Sequence, residues 1–240
     1  DPQPEEMEKI FVFDGLKRVE VDEASMGDIV AISGVGKVSI GDTIADIEYP
    51  DALPPIEIDD PTVKMTLGVN TSPFMGKSGM HSTSRNLHER LLREIRTNVS
   101  LRVETTENSD EFLVSGRGEL HLTILVETLR REGYEFQLSK PEPATKIVDE
   151  VLHEPYEELI IDTEEEYIGP LTEALSGRLA ELVNMTNDGL GNMRMEYMIP
   201  TRGLIGFRST FLRDTRGTGV INTLFAGFRP VSGEITSTNR

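Results

Sequence analysis

Two rhythms of apolar positions alternate along residues 63–139, and their order is informative. A period-two stretch at residues 63–70 predicts a strand. A glycine-rich loop then leads to a helix over about residues 84–98, in which Leu87, Leu91, Leu92 and Ile95 share one face. Strands at 101–104 and 111–116 follow, joined by the polar turn Glu107-Asn108-Ser109-Asp110. A second helix over 118–132 buries Leu122, Leu125, Val126 and Leu129 and stops at Gly133, which suits a left-handed cap. The strand 134–139 closes the series.

The same order recurs downstream without obvious sequence repetition. An extended stretch at 145–165, with a break near Pro155, precedes a helix from about residue 168 that carries Pro170 at an early position. Strands at 180–185 and 192–199 flank Asn187-Asp188-Gly189. After Pro200, Thr201 is read as the cap of a helix whose stripe is Leu204, Phe207 and Phe211, with Arg202, Arg213 and Arg216 on the opposite face. A strand at 219–225 ends the series. The order βαββαβ, twice, predicts two consecutive ferredoxin-like units.

Residues before 58 follow a different pattern. Short β-rich runs at 10–13, 17–21, 29–33 and 43–47 are separated by Asp14-Gly15, Gly27-Asp28 and Gly41-Asp42. They are too few to close a barrel and read as the end of one. Asp51 to Pro55, Asp59-Asp60-Pro61 and Pro141-Glu142-Pro143 punctuate the chain. The class is therefore α+β, with a β-barrel remnant at 1–58, ferredoxin-like units at 62–140 and 144–228, and a further segment beginning at 229–240.

Charge modifies this picture. The net charge is −18, but it divides as −11 for residues 1–74, +1 for 75–131, −11 for 132–185 and +3 for 186–240. A global argument from acidity would exclude nucleic acid; the segmental distribution does not. The absence of cysteine excludes disulfides, thiolate chemistry and cysteine-ligated zinc, and it fits a reducing cytoplasm. No apolar run approaches the roughly 20 residues that cross a bilayer, so no membrane partner is expected. The chain opens on Asp1-Pro2 without an initiator methionine, which reads as a piece of a longer protein, and a monomer is expected.

Several catalytic signatures fail on inspection. Gly76-Lys77-Ser78 ends like a phosphate-binding loop, but position 71, where its first glycine belongs, is Thr71. Asp214-Thr215-Arg216-Gly217 matches a short GTPase pattern with no NKxD partner in the chain. Gly116-Arg117-Gly118 begins a GxGxxG turn in which His121 replaces the third glycine, so it reads as a tight strand-to-helix turn. His81, His88, His121 and His153 lack metal-ligand spacing, and Glu164-Glu165-Glu166 suits the start of a helix. No catalytic residue, cofactor site or metal site is assigned.

Arginine supplies the functional candidates. Arg194, Arg202, Arg208, Arg213, Arg216 and Arg229 concentrate where acids are few, and guanidinium groups pair bidentately with phosphate. Lys77 and Arg85, near the glycine-rich loop, and Arg117, at a helix start, form weaker candidates for the same contact. The competing readings are a solvated basic helix end and a protein-interaction scaffold without RNA contact.

Three groups of motifs carry a family resemblance. Val12-Phe13-Asp14-Gly15-Leu16-Lys17-Arg18-Val19-Glu20, with the runs starting at Gly27-Asp28 and Gly41-Asp42, resembles the end of domain II of a translational GTPase. Asn70-Thr71-Ser72-Pro73-Phe74, Val114 to Leu122 and Ile199-Pro200-Thr201-Arg202-Gly203-Leu204-Ile205-Gly206-Phe207-Arg208-Ser209 are similar to the BipA/TypA branch, related to elongation factor G and LepA. The resemblance implies a ribosome-dependent GTPase used under stress and in large-subunit assembly, with a G domain holding GTP and Mg outside these residues. It also implies that the two ferredoxin-like units correspond to domains III and V. The expected partner is the ribosome, through rRNA and ribosomal proteins at the factor-binding site. Contact with tRNA would belong to a C-terminal domain almost wholly outside the chain, and no GTP hydrolysis is expected within it.

Overall fold

A computed structural model describes residues 3–36, 38–54, 56 and 58–235. The chain comprises two compact units, Asp1–Glu57 and Ile58–Arg240.

In the first unit, β1 (Lys9–Asp14), β2 (Lys17–Val21) and β3 (Val30–Ser33) form an antiparallel sheet in the order β2-β1-β3. Asp14-Gly15 fails to extend because Gly15 takes φ 61°, letting β1 turn directly into β2. Two further turns share one device: Ser25 N–H donates to Asp28 Oδ2 at 2.8 Å, and Ser39 N–H donates to Asp42 Oδ2 at 2.7 Å. The strand expected at 43–47 does not form. Ile44 and Ile47 are 58% and 81% exposed, so the segment gains no apolar face that would offset ordering it in a ladder.

The second unit contains two sheets. β4 (Val63–Val69), α1 (Ser84–Ile95), β5 (Arg102–Thr105), β6 (Glu111–Gly116), α2 (Glu119–Arg131), β7 (Phe136–Leu138) and β8 (Glu142–Pro143) build the first. Its order is β5-β6-β4-β7 with every neighbour antiparallel, the ferredoxin-like arrangement. β7 pairs only with Leu67–Val69, and β8 continues along the other end of β4, opposite Val63 and Lys64. The proline pair read as a chain break thus also supplies an edge strand, a place where missing N–H donors are tolerated.

Both helices cover one face of this sheet. Thr83 Oγ1 accepts from Asn86 N–H and starts α1, which buries Leu87 and Leu91. Leu92, expected inward, is 42% exposed, since it lies about 100° around the helix from Leu91 and beyond the contact stripe. α2 buries Leu122, Leu125 and Leu129, and Gly133 takes the expected left-handed conformation at φ 84°. Arg90 locks the helices together: its Nε and Nη2 meet Glu132 at 2.6 and 2.9 Å, and its Nη1 meets Glu94 at 2.8 Å.

β9 (Lys146–Val148), β10 (Val151–Glu164), a 3₁₀ turn at Glu165–Tyr167, α3 (Ile168–Ser176), β11 (Glu181–Asn187), β12 (Asn192–Pro200), α4 (Thr201–Leu204), α5 (Phe207–Asp214) and β13 (Val220–Pro230) build the second sheet and its helices. The order β11-β12-β10-β13 repeats the first topology. Pro155 sits where the β10–β13 register shifts, so its missing N–H coincides with a bulge. Alternation along β12 turns Met193, Met195, Tyr197 and Ile199 towards the helices and leaves Arg194 exposed on the other face. Phe207 and Phe211 are fully buried against them, each worth about 1.5–3 kcal/mol by transfer of its apolar surface. That burial fixes which side of α5 faces outward.

Candidate nucleic-acid interface

The arginine-bearing segment is not the single helix expected. α4 ends at Leu204, Ile205 is extended, and Gly206 at φ 72° restarts the chain as α5. Thr201 is the first helical residue rather than a cap, and its hydroxyl donates to Glu157 Oε1 at 2.9 Å. Gly203 serves a separate need: a Cβ there would lie 2.6 Å from the Arg178 carbonyl oxygen. Arg178 in turn donates through Nη1 to the Gly203 and Ile205 carbonyls at 2.7 and 3.1 Å and lies over the Phe207 ring. These are carbonyls that the short α4 leaves without helical donors, so Arg178 is its C-terminal cap.

Splitting the helix redistributes the arginines. Arg202 belongs to α4, and its Nε meets Glu154 Oε2 at 2.6 Å while Nη2 donates to the Ser232 and Gly233 carbonyls. The Glu154 side chain is 1% exposed, so Arg202 neutralises a buried charge and is committed to the fold. The expected face of Arg202, Arg213 and Arg216 therefore reduces to its last two members. Arg213 is exposed beside Asp214 at the end of α5, and Arg216 is exposed just beyond at φ 50°. Arg208 is exposed at the start of α5. Among the described residues neither Arg208 nor Arg216 has a carboxylate within ion-pair distance.

The remaining candidates are dispersed. Arg194 lies on the sheet face away from α5 and pairs with Asp162 across β10 at 3.4 Å. Arg117 meets Asp59 at 3.5 Å, Arg85 meets Glu89 within α1 at 2.8 Å, and the Lys77 ammonium sits 5.1 Å from the Phe74 ring centre. Exposed surface ion pairs such as those of Arg194, Arg117 and Arg85 contribute little to stability.

Arg208 and Arg117 flank a cleft of about 530 Å³ between the two sheets' helices, with Leu120, Leu204 and Phe207 among its apolar walls. Glu119 Oε2 accepts from Gly206 N–H at 2.9 Å across it, a carboxylate placed at the start of α5. Glu157, 6% exposed, also lines the cleft. Burial pushes its carboxyl above the ordinary value, against the opposing hydrogen bonds from Thr201 and Thr223.

The rejected motifs have structural explanations. Gly76, Ser78 and Gly79 N–H groups all point to the Glu135 carboxylate at 3.0–3.2 Å, so the apparent phosphate loop encloses an internal anion. Those bonds, led by Ser78, hold Glu135 below the usual carboxylate range. At the GxGxxG turn, His121 Nδ1 accepts from Arg117 N–H, leaving Nε2–H to donate to Asn98 Oδ1 at 3.1 Å. Burial lowers that imidazole's affinity for a proton. No cluster of three or more metal-ligating side chains occurs among the described residues. The buried carboxylates Glu135, Glu154 and Glu157 were not foreseen, because strand alternation marks an inward position but not the partner that neutralises it.

A family model described as Elongation Factor G, domain III matches residues 78–140, and one described as Elongation factor G C-terminus matches residues 151–239. The chain is 48% identical over 223 residues to the Large ribosomal subunit assembly factor BipA of Bacillus subtilis, 93% of this chain and 36% of that protein. It is 51% identical over 219 residues to the protein of the same name in Haemophilus influenzae, covering 91% and 36%. For the Escherichia coli K12 protein of that name the identity is 49% over 222 residues, covering 92% and 37%.

The chain belongs to the BipA family. It spans somewhat over a third of the length of these relatives. Within the BipA frame, the domain III match runs from the loop before α1 through β7, and the C-terminus match takes in β10 to β13. The exposed Arg208, Arg213 and Arg216 thus lie in the region that matches the Elongation factor G C-terminus. No helix is long and apolar enough to cross a membrane.

Proposed function

We propose that this chain is the ribosome-binding portion of a BipA-type translational GTPase, acting in large-subunit assembly and translation, including under stress, in the cytoplasm. The observation that carries the reading is the basic surface of α5 and the turn after it: Arg208 at the start of α5, Arg213 at its end and Arg216 just beyond are exposed, and two buried phenylalanines hold the helix in one orientation. Exposed guanidinium groups suit rRNA phosphates, which provide salt-dependent affinity, while ribosomal-protein contacts set orientation. Base-specific readout is unnecessary on an RNA of fixed shape.

Glu135 fills the backbone nest at Gly76-Lys77-Ser78, which supports the reading that nucleotide and Mg²⁺ would be held by another part of the family's length. The chain itself acts as the arm through which nucleotide state would be expressed at the ribosome. Sedimentation of the 240-residue chain with purified large or small subunits tests this reading. Binding to large subunits that weakens with salt is expected; failure to bind either subunit overturns it, and salt-insensitive binding favours a protein scaffold without RNA contact.

A further inference from the structure

The edge strands of the second unit differ in how they are guarded. β13 carries Gly227 at φ 95° and ends in Arg229-Pro230, and β5 bears Arg102 and Glu104, devices that discourage a further strand from pairing. β11 has neither proline nor a basic residue, and its one acid, Glu181, stands at its start. All seven of its residues are exposed, with Leu182, Val183 and Met185 at 51%, 64% and 47%.

Backbone phase fixes which groups point outward. Asp188 N–H donates to the Asn192 carbonyl at 3.1 Å, so by alternation Thr186 and Asn184 address β12, while Asn187 and Met185 turn their N–H and C=O groups to the open edge. The Met185 N–H is met by the neighbouring Asn184 Oδ1 at 2.9 Å, a local bond that the carbonyl of a second strand can replace. Side chains alternate in step: Met185 lies opposite Met195 on the helix side, and Asn184 and Thr186 lie opposite Glu196 and Arg194 on the other face. A bulge at Val183 bounds the regular stretch, which runs from Asn184 to Asn187.

We propose that β11 pairs antiparallel with the β11 of a second copy of this chain, about a two-fold axis at Met185. The strand is self-complementary in that register: Met185 meets Met185 on the apolar face, Asn184 meets Thr186 on the polar one, and Glu181 lies four residues from the axis, so no like charges are opposed. Leu182 to Asn187 carries no charge, so a charged partner strand would find no counter-charge along it. Pairing buries only a short edge, and the association is weak and reversible. Each copy carries a net charge of −18, so the dimer strengthens with salt, opposite to phosphate binding. The monomer expected from sequence is then the dilute side of an equilibrium.

Sedimentation equilibrium of the 240-residue chain over a concentration series, at low and high salt, tests the pairing. The weight-average mass should climb from that of the monomer towards twice it, and further at high salt. Met185→Lys places two ammonium groups at the axis and should weaken association more than about tenfold, whereas Leu224→Lys, a comparably exposed change on β13, leaves it unaltered. The chain has no cysteine, so Met185→Cys reports the geometry directly and decides the matter should Met185→Lys unfold. Under mild oxidation it should form a disulfide-linked dimer, because hydrogen-bonded partners in an antiparallel pair bring their Cα atoms to about 5.5 Å. Leu224→Cys should not. Monomer mass throughout the series, a dimer indifferent to Met185→Lys, or crosslinking no better at 185 than at 224 would each overturn the proposal.

Discussion

Replacing Arg202 removes the neutralising partner of a carboxylate that solvent does not reach. Glu154 is 1% exposed at its side chain, and its Oε1 has no hydrogen-bond partner, so the interaction through Oε2 is its principal compensation. Breaking a buried pair from one side costs about 3–5 kcal/mol. The Arg202 side chain is 20% exposed, so water entering its place relieves part of this, and the lower end, about 3 kcal/mol, is expected. A domain of this size loses about 2–4 °C per kcal/mol, so Arg202→Ala should melt about 6–12 °C below the parent. Thermal and urea unfolding followed by circular dichroism measure this directly. The double variant Arg202→Met with Glu154→Gln should recover most of the loss, because it removes both charges together. Melting of Arg202→Ala within 1–2 °C of the parent, about the effect of an ordinary surface substitution, would refute the buried-anchor argument and return Arg202 to the list of surface contacts.

Glu157 carries a pH signature. Its carboxyl is raised by burial, so the folded chain holds the proton to higher pH than the unfolded chain, and stability present below the unfolded value falls as pH rises through the folded one. Glu157→Gln should therefore raise the melting temperature at pH 7, with the advantage vanishing near pH 4, where an ordinary glutamate protonates; melts across that range would expose an unchanged difference as a contradiction. Gly203→Ala should cost about 2–3 kcal/mol, the upper part of the overpacking range, because its 2.6 Å clash is with the Arg178 backbone carbonyl oxygen. Gly206→Ala, in open space but at φ 72°, should cost about 1 kcal/mol through conformation alone, and equal losses in urea titrations would contradict the distinction.

Periodicity made both ferredoxin-like units legible because each element repeats its signal over several turns or alternations. Leu87 and Leu91, Leu122 to Leu129, and the alternating apolar residues of β12 all went where spacing sends them. The failures have local causes. The run at 43–47 has β propensity but no covered face, which no window of five residues reveals. The stripe Leu204, Phe207, Phe211 survives a helix break because Gly206 turns the chain while Arg178 caps the first piece from 25 residues away. That long-range cap is invisible to helical phase, and so is the Glu154 carboxylate that takes Arg202 out of the basic face. Sequence thus located the arginine-rich region but misjudged which of its members remain free. The same limitation applied to Gly76-Lys77-Ser78: its spacing argued against a nucleotide, but only packing reveals the carboxylate inside the loop.

On the proposed reading, Arg208, Arg213 and Arg216 are the groups on which RNA contact would depend, and all three can be changed without touching the buried pair. Sedimentation of the parent and of the Arg208→Glu, Arg213→Glu, Arg216→Glu variant with large subunits across a salt series tests that contact. If each arginine meets a phosphate, the variant binds more weakly and the slope of log K against log salt becomes shallower by about 2–3. A folded variant with the parent's affinity and the parent's slope would contradict the assignment of this surface to rRNA.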